Sequence, residues 1–252
     1  MEMSDLQILG PAILAGLLVL TTHIPLGIEV IKRGIIFIDL AIAQIAGMGV
    51  VFASVMGWDH QSGALQLSAV VAAVAGALLL TWTEKKWSDY QEPLIGIFFI
   101  LAATGSVLLL TGDPHASEEL KDILVGQILW VEYKQLLYVA VVYAMIILLW
   151  RSIMQRFGRA GFYLIFALSI TISVQLVGIY LVFASLIIPA LATLKWSGKR
   201  RLATAYFLGV AAYTMGLVIS MPLDLPSAPL IVWCLALFGL VFALIPKQLK
   251  RV

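Results

Sequence analysis

The chain has 252 residues, 62% of them hydrophobic and 12% charged, with a formal net charge of +2 and a mean hydropathy of +1.03. Soluble domains hold about 45–50% apolar and about 25% charged residues, so this composition excludes a soluble globule and gives no reason to expect a nucleic-acid partner. The single cysteine, Cys234, lies in an apolar run and excludes an internal disulfide framework.

The apolar residues recur in blocks of roughly 20, the length a helix needs to cross the hydrocarbon. They predict an all-α, polytopic membrane helix bundle forming one transmembrane domain over residues 1–252. In chain order the expected spans are 8–30, 35–57, 65–83, 93–111, 136–150, 161–177, 178–194, 203–221 and 229–246. The pair 161–177 and 178–194 is one continuous run marked only by Gln175 and Gly178, so the count is eight or nine. The acidic start MEMSDLQ argues against a cleavable signal peptide.

Polar side chains inside these blocks are rare, and a charge at the bilayer centre costs roughly 2.5–3.5 kcal/mol on insertion scales. Each is therefore a candidate for function. In the first span, TTHIPLG places His23 two residues before Pro25, whose ring frees a helical carbonyl. That corner suits cation coordination, or a histidine bonded to nearby backbone. Glu29 lies one turn from Lys32 and Arg33 and reads as an interfacial ion pair.

The second span, GIIFIDLAIAQIAGMGV, carries Asp39 and Gln44. Asp39 can pair with Arg33 or Lys32, or line a pathway. Gln44, five residues on, lies some 140° round the helix, so the two need not share a face. Its amide suits helix–helix bonding or coordination.

The longest stretch between spans, 112–135, contains GDPHASEELKDILVGQILWV. Asp113 and Pro114 read as helix N-cap and first helical position, which puts His115, Glu119 and Asp122 on one stripe of a short helix. An imidazole and two carboxylates there could meet a divalent cation such as zinc, or form a solvated acidic face. Either arrangement raises the local cation concentration.

Fourteen of the sixteen basic residues fall in alternate loops, at 32–33, 85–86, 151–159, 195–201 and 247–251. The positive-inside rule makes these loops cytoplasmic. With nine spans the N-terminus is outside and the C-terminus cytoplasmic. No GxxxxGK[ST] loop is present, so ATP chemistry by that route is not expected of this chain. HExxH is likewise absent, which argues against an intramembrane metalloprotease.

Three stretches, taken together, carry a family resemblance. PLGIEVIKRGIIFIDLAIAQIAGMGV (25–50), ELKDILVGQILWV (119–131) and VGIYLVFASLIIPALAT (177–193) resemble segments of the ABC-3 family, the permeases of bacterial zinc, manganese and iron ABC importers. The family's second span has the form GDxxxHAxxxGV, its outer element resembles LLFGDIL, and its later run resembles VGxLLVxALLIIPAATA. Aligned on Gly49 and Val50, Gln44 takes the place of the family histidine and Leu40 that of its aspartate, with Asp39 one position earlier. The imidazole at His23 would then stand in from the neighbouring helix.

The resemblance implies a non-enzymatic permease subunit, multi-pass in the bacterial inner membrane. It would move a divalent metal, zinc or else manganese, inward by alternating access. It also implies a cytoplasmic ATP-binding subunit, a periplasmic or lipoprotein metal-binding protein and a second copy of the chain, with no permanently bound cofactor. The loop 151–160, RSIMQRFGRA, is shorter than the family's; Arg151, Arg156, Gly158 and Arg159 would form a truncated coupling element for the ATPase. The alternative is a secondary transporter or channel that uses intramembrane carboxylates, although no two halves of the chain resemble inverted repeats.

Overall fold

The computed structural model describes residues 3–58, 63–110, 124–223 and 225–244, and the predicted stripe of His115, Glu119 and Asp122 lies outside them. Eight α-helices follow in order, with no strand among the described residues: α1 Met3–Arg33, α2 Ile38–Val55, α3 Gly63–Lys86, α4 Gln91–Leu109, α5 Tyr133–Val177, α6 Ile179–Ala192, α7 Gly198–Leu223 and α8 Ser227–Leu244. Single 3₁₀ turns, Ser88–Tyr90 and Ile128–Trp130, precede α4 and α5. Seven of the helices are long and apolar enough to cross a membrane; α6 is apolar but shorter.

α5 has 45 residues. At 1.5 Å per residue it would reach about 68 Å, more than twice the ~30 Å hydrocarbon thickness. It breaks at Gly158, whose backbone angles (φ 53°, ψ −119°) no helix contains. The two arms, 133–157 and 159–177, then run back along each other. Tyr143 in the first arm donates its hydroxyl to the Ser169 carbonyl at 3.2 Å and bonds the Ser173 hydroxyl in the second, and residues 143 and 173 are equidistant from the break. Among the described residues the eight helices thus form nine arms, of which α6 is shorter than the length expected of a span.

The segment 151–160 differs from its expected form. It is not an irregular loop: helix continues up to residue 157 and resumes at once, so Gly158 alone makes the turn. The first arm accordingly extends past the predicted boundary at 150. Polar and basic residues near 151–156 resemble a loop in composition, yet they continue the helix beyond its apolar part.

Burial is greatest in the segments nearest the centre. α1, α6 and the second arm of α5 supply many of the fully buried side chains, including Leu20, Ile24, Phe162, Phe166 and Leu181. Exposed leucines such as Leu108, Leu148 and Leu244, each more than 70% accessible, coat the outside, as expected of a surface that faces lipid.

Because lipid tails are as apolar as leucine, helices in a membrane associate through close packing and hydrogen bonds. Both are seen here. α1 and α6 touch backbone to backbone: a Cβ added at Gly27 would stand 1.9 Å from the Leu186 carbonyl oxygen. Ser68 of α3 donates to the Gly49 carbonyl of α2 at 2.6 Å.

α1 runs straight through Pro25 without ending. The proline has no N–H to give the Thr21 carbonyl, and the hydroxyl of Tyr206, on α7, fills that place at 3.1 Å.

Candidate functional site

Gln44 lies on the second turn of α2 and is half-buried. It borders an open cavity of about 550 Å³ whose walls include Leu40, Phe99, Leu124, Phe183 and Trp233, drawn from α2, α4, α6 and α8. A second cavity of about 270 Å³ adjoins it and shares Gln44, Phe99 and Leu124, adding Gly47 and Ser106. Gln44 is therefore an amide at the junction of two otherwise largely apolar hollows. Its carbonyl oxygen can coordinate, and its two N–H groups can donate.

Asp39 does not share that opening. It stands in the first turn of α2, 1% exposed, and both of its oxygens lack a hydrogen-bond partner among the described residues. Glu92, in the first turn of α4, faces it electrostatically. One Glu92 oxygen accepts the Phe37 backbone N–H at 3.2 Å, while the other is buried and unpartnered among the described residues. The expected pairing of Asp39 with Arg33 is not formed. Arg33 donates to Glu29 at 3.0 Å and lies 4.1 Å over the Phe162 ring, while the Lys32 ammonium stands 3.8 Å from Glu29. The interfacial ion pair expected of Glu29 is thus present.

His23 is fully buried. Its Nδ1 lies 2.9 Å from the Val19 carbonyl and 3.2 Å from the Thr22 hydroxyl, and its Nε2 has no partner among the described residues. A carbonyl can only accept, so Nδ1 bears the proton there and Nε2 keeps a free lone pair. The ring borders neither of the cavities at Gln44.

The structure does not bring His23, Asp39 and Gln44 together. No group of three His, Cys, Asp or Glu side chains among the described residues is placed to hold a metal ion. At the turn between the arms of α5, Arg159 stands 3.8 Å from Glu84 of α3, and Arg156 lies 5.8 Å from the ring centroid of Phe157. Arg151, Arg156, Gly158 and Arg159 are all exposed at that end.

Several polar residues went unread in the sequence. Gln91, 4% exposed, donates to the Leu80 carbonyl at 3.0 Å and to the Tyr163 hydroxyl at 3.1 Å, and accepts from Thr83 at 3.1 Å. Its place just ahead of an apolar run made it look like loop, as Glu92 did. The Tyr143–Ser173 contact couples residues 30 apart and has no local sequence mark.

Apolar helices of membrane length around a cleft that contains one amide define the class, a multi-pass protein of the bacterial inner membrane. The chain belongs to the ABC 3 transport family, whose model matches residues 5–160 and 151–246. This is a family of metal-ion ABC transporter permeases, and membership sets aside the secondary-transporter reading. Over 263 residues the chain is 23% identical to the high-affinity zinc uptake system membrane protein ZnuB of Haemophilus influenzae, covering 96% of this chain and 98% of that one. It is 28% identical over 267 residues to the manganese transport system membrane protein MntC of Halalkalibacterium halodurans, covering 96% and 87%. Its fold is similar to that of PsaBC from Streptococcus pneumoniae solved with a Fab, with a TM-score of 0.77, 23% identity and coverage of 97% and 95%.

Proposed function

We propose that the chain is the membrane subunit of an importer for a divalent metal ion, zinc or else manganese. Two copies would enclose the path, with the open cavity at Gln44 on the side that the second copy closes. A separate ATP-binding subunit would dock at the basic end, against Arg151, Arg156, Gly158 and Arg159. A periplasmic or lipoprotein metal-binding protein would deliver the ion at the opposite end, with His115, Glu119 and Asp122 as the sequence candidates for that handover.

The observation that carries this reading is Gln44 itself. It is half-buried on a cleft, on the helix and at the position where the family resemblance puts a metal-ligating histidine. An amide oxygen is a weaker ligand than imidazole for a borderline cation, which suits a path that must release its cargo. His23 supports the reading in a second way. Ligating histidines usually donate the other ring N–H to a carboxylate or carbonyl, and Val19 fills that place here. Asp39 would act nearer the cytoplasmic end of α2, where its unpartnered oxygens need a cation or a proton.

Reconstitution with the ATPase and binding protein, followed by radiolabelled zinc and manganese uptake, tests the assignment. Gln44→Leu and His23→Ala are each expected to abolish uptake while the purified protein keeps its helical content. Full uptake by either variant would overturn the ligand assignment of that residue.

A further inference from the structure

A groove that shares no residue with the cavities at Gln44 runs between α3 and the two arms of α5, enclosing about 480 Å³. Its chemistry is segregated by height. Gln66 lies in the first turn of α3, Gln135 in the first turn of the first α5 arm and Gln175 in the last turn of the second arm. The arms are antiparallel, so all three amides meet at the end of the bundle opposite the Gly158 turn. Deeper in, the wall is Val70, Val142 and Leu168. The rim opens sideways past Leu67 and Tyr138, 62% and 65% exposed on helices of membrane length.

Thr171 adds an independent sign of an occupant. It is one turn deeper than Gln175 and 1% exposed, and its hydroxyl has no partner among the described residues. It borders both this groove and a smaller hollow of about 280 Å³ toward α2. A buried hydroxyl is almost always hydrogen-bonded, so something that can accept or donate belongs beside it.

The lining fixes the class of that molecule. It contains no charged side chain, so nothing there selects an ion. A volume of this size falls within the roughly 300–1,000 Å³ of small-molecule sites, and a dry apolar slot beside lipid gains contacts by being filled. The groove needs a molecule with a methylene chain below and neutral hydrogen-bonding oxygens above.

We propose that the groove is a specific site for one phospholipid. An acyl chain lies along Val70, Val142 and Leu168, and the glycerol ester region bonds Gln135, Gln175 and Thr171. Because the amides are neutral, headgroup charge does not matter to it. The site is independent of the metal reading.

Native mass spectrometry of the full chain in detergent, titrated with dioleoyl phosphatidylethanolamine and separately with dioleoyl phosphatidylglycerol, tests this. One lipid of either kind is expected to stay bound. Val142→Trp fills the slot and removes it. The double change Gln135→Leu with Gln175→Leu leaves the slot open and weakens retention roughly tenfold, as the loss of two ordinary hydrogen bonds implies. Leu237→Trp, on an exposed face of α8, leaves retention unchanged. Equal retention by wild type and both groove variants overturns the proposal. So does an equal loss in Leu237→Trp, which would mark a general lipid coat, or a change of oligomeric state in Val142→Trp with lipid retained, which would mark a contact between copies. If Val142→Trp does not fold, the rim double variant decides alone.

Discussion

Tyr143 carries a hydroxyl into the centre of the bundle, 1% exposed, and bonds the Ser169 carbonyl and the Ser173 hydroxyl there. Tyr143→Phe keeps the ring but removes both of those bonds, while the Ser173 hydroxyl still donates to the Ser169 carbonyl at 2.8 Å. We expect a loss of about 1–3 kcal/mol, read as a lower midpoint of unfolding in detergent. Glycine positions give a sharper contrast. Gly126 and Gly178 both have positive φ and meet backbone to backbone, so a Cβ on Gly178 would lie 2.4 Å from the Gly126 nitrogen. Gly34 also has a positive φ, but nothing stands within 4 Å. Gly178→Ala is expected to cost about 3 kcal/mol or more, from strain and clash together. Gly34→Ala should cost only about 1 kcal/mol, from the backbone alone. Similar losses at the two sites would contradict the packing described. The sequence made Asp39, Gln44 and His23 visible as polar interruptions in apolar runs, but it could not say which way each pointed. That depends on which helices pack around α2 and α1, a property of distant residues.

At the scale of elements, nearly every helix was readable because a membrane imposes length and hydropathy together. The division of α5 was also readable, since a basic, polar stretch separates two apolar ones. Its form was not. A loop over 151–160 and a single-residue turn at Gly158 have the same composition, and only the backbone distinguishes them. Gly158 has no neighbour within 4 Å of a built Cβ, so Gly158→Ala probes conformation alone. Its angles are ones that non-glycine residues avoid, and the change should cost about 1–3 kcal/mol. We expect faster proteolysis between the two arms in the variant. Unchanged cleavage would mean that the turn does not depend on glycine. The stripe at His115, Glu119 and Asp122 rests on the sequence alone, because those residues lie outside the described ones.

For the whole molecule, the alternation of basic loops and the odd number of arms make a joint statement about sidedness. Trp58 follows α2 and Ser88 follows α3, so single cysteines at these exposed positions stand at opposite ends of the bundle. With the native Cys234 changed to alanine, a membrane-impermeant maleimide added to right-side-out vesicles should label Trp58→Cys and spare Ser88→Cys until the membrane is opened. The reverse pattern would invert the orientation read from lysine and arginine.

The carbonyl that Pro25 strands at Thr21 is satisfied by a tyrosine 185 positions later in the chain. During synthesis the first helix must therefore do without this partner until residue 206 has been made. Chains halted before α7 should hold that helix less firmly and be more open to quality-control proteases, so α7 governs how securely α1 is kept.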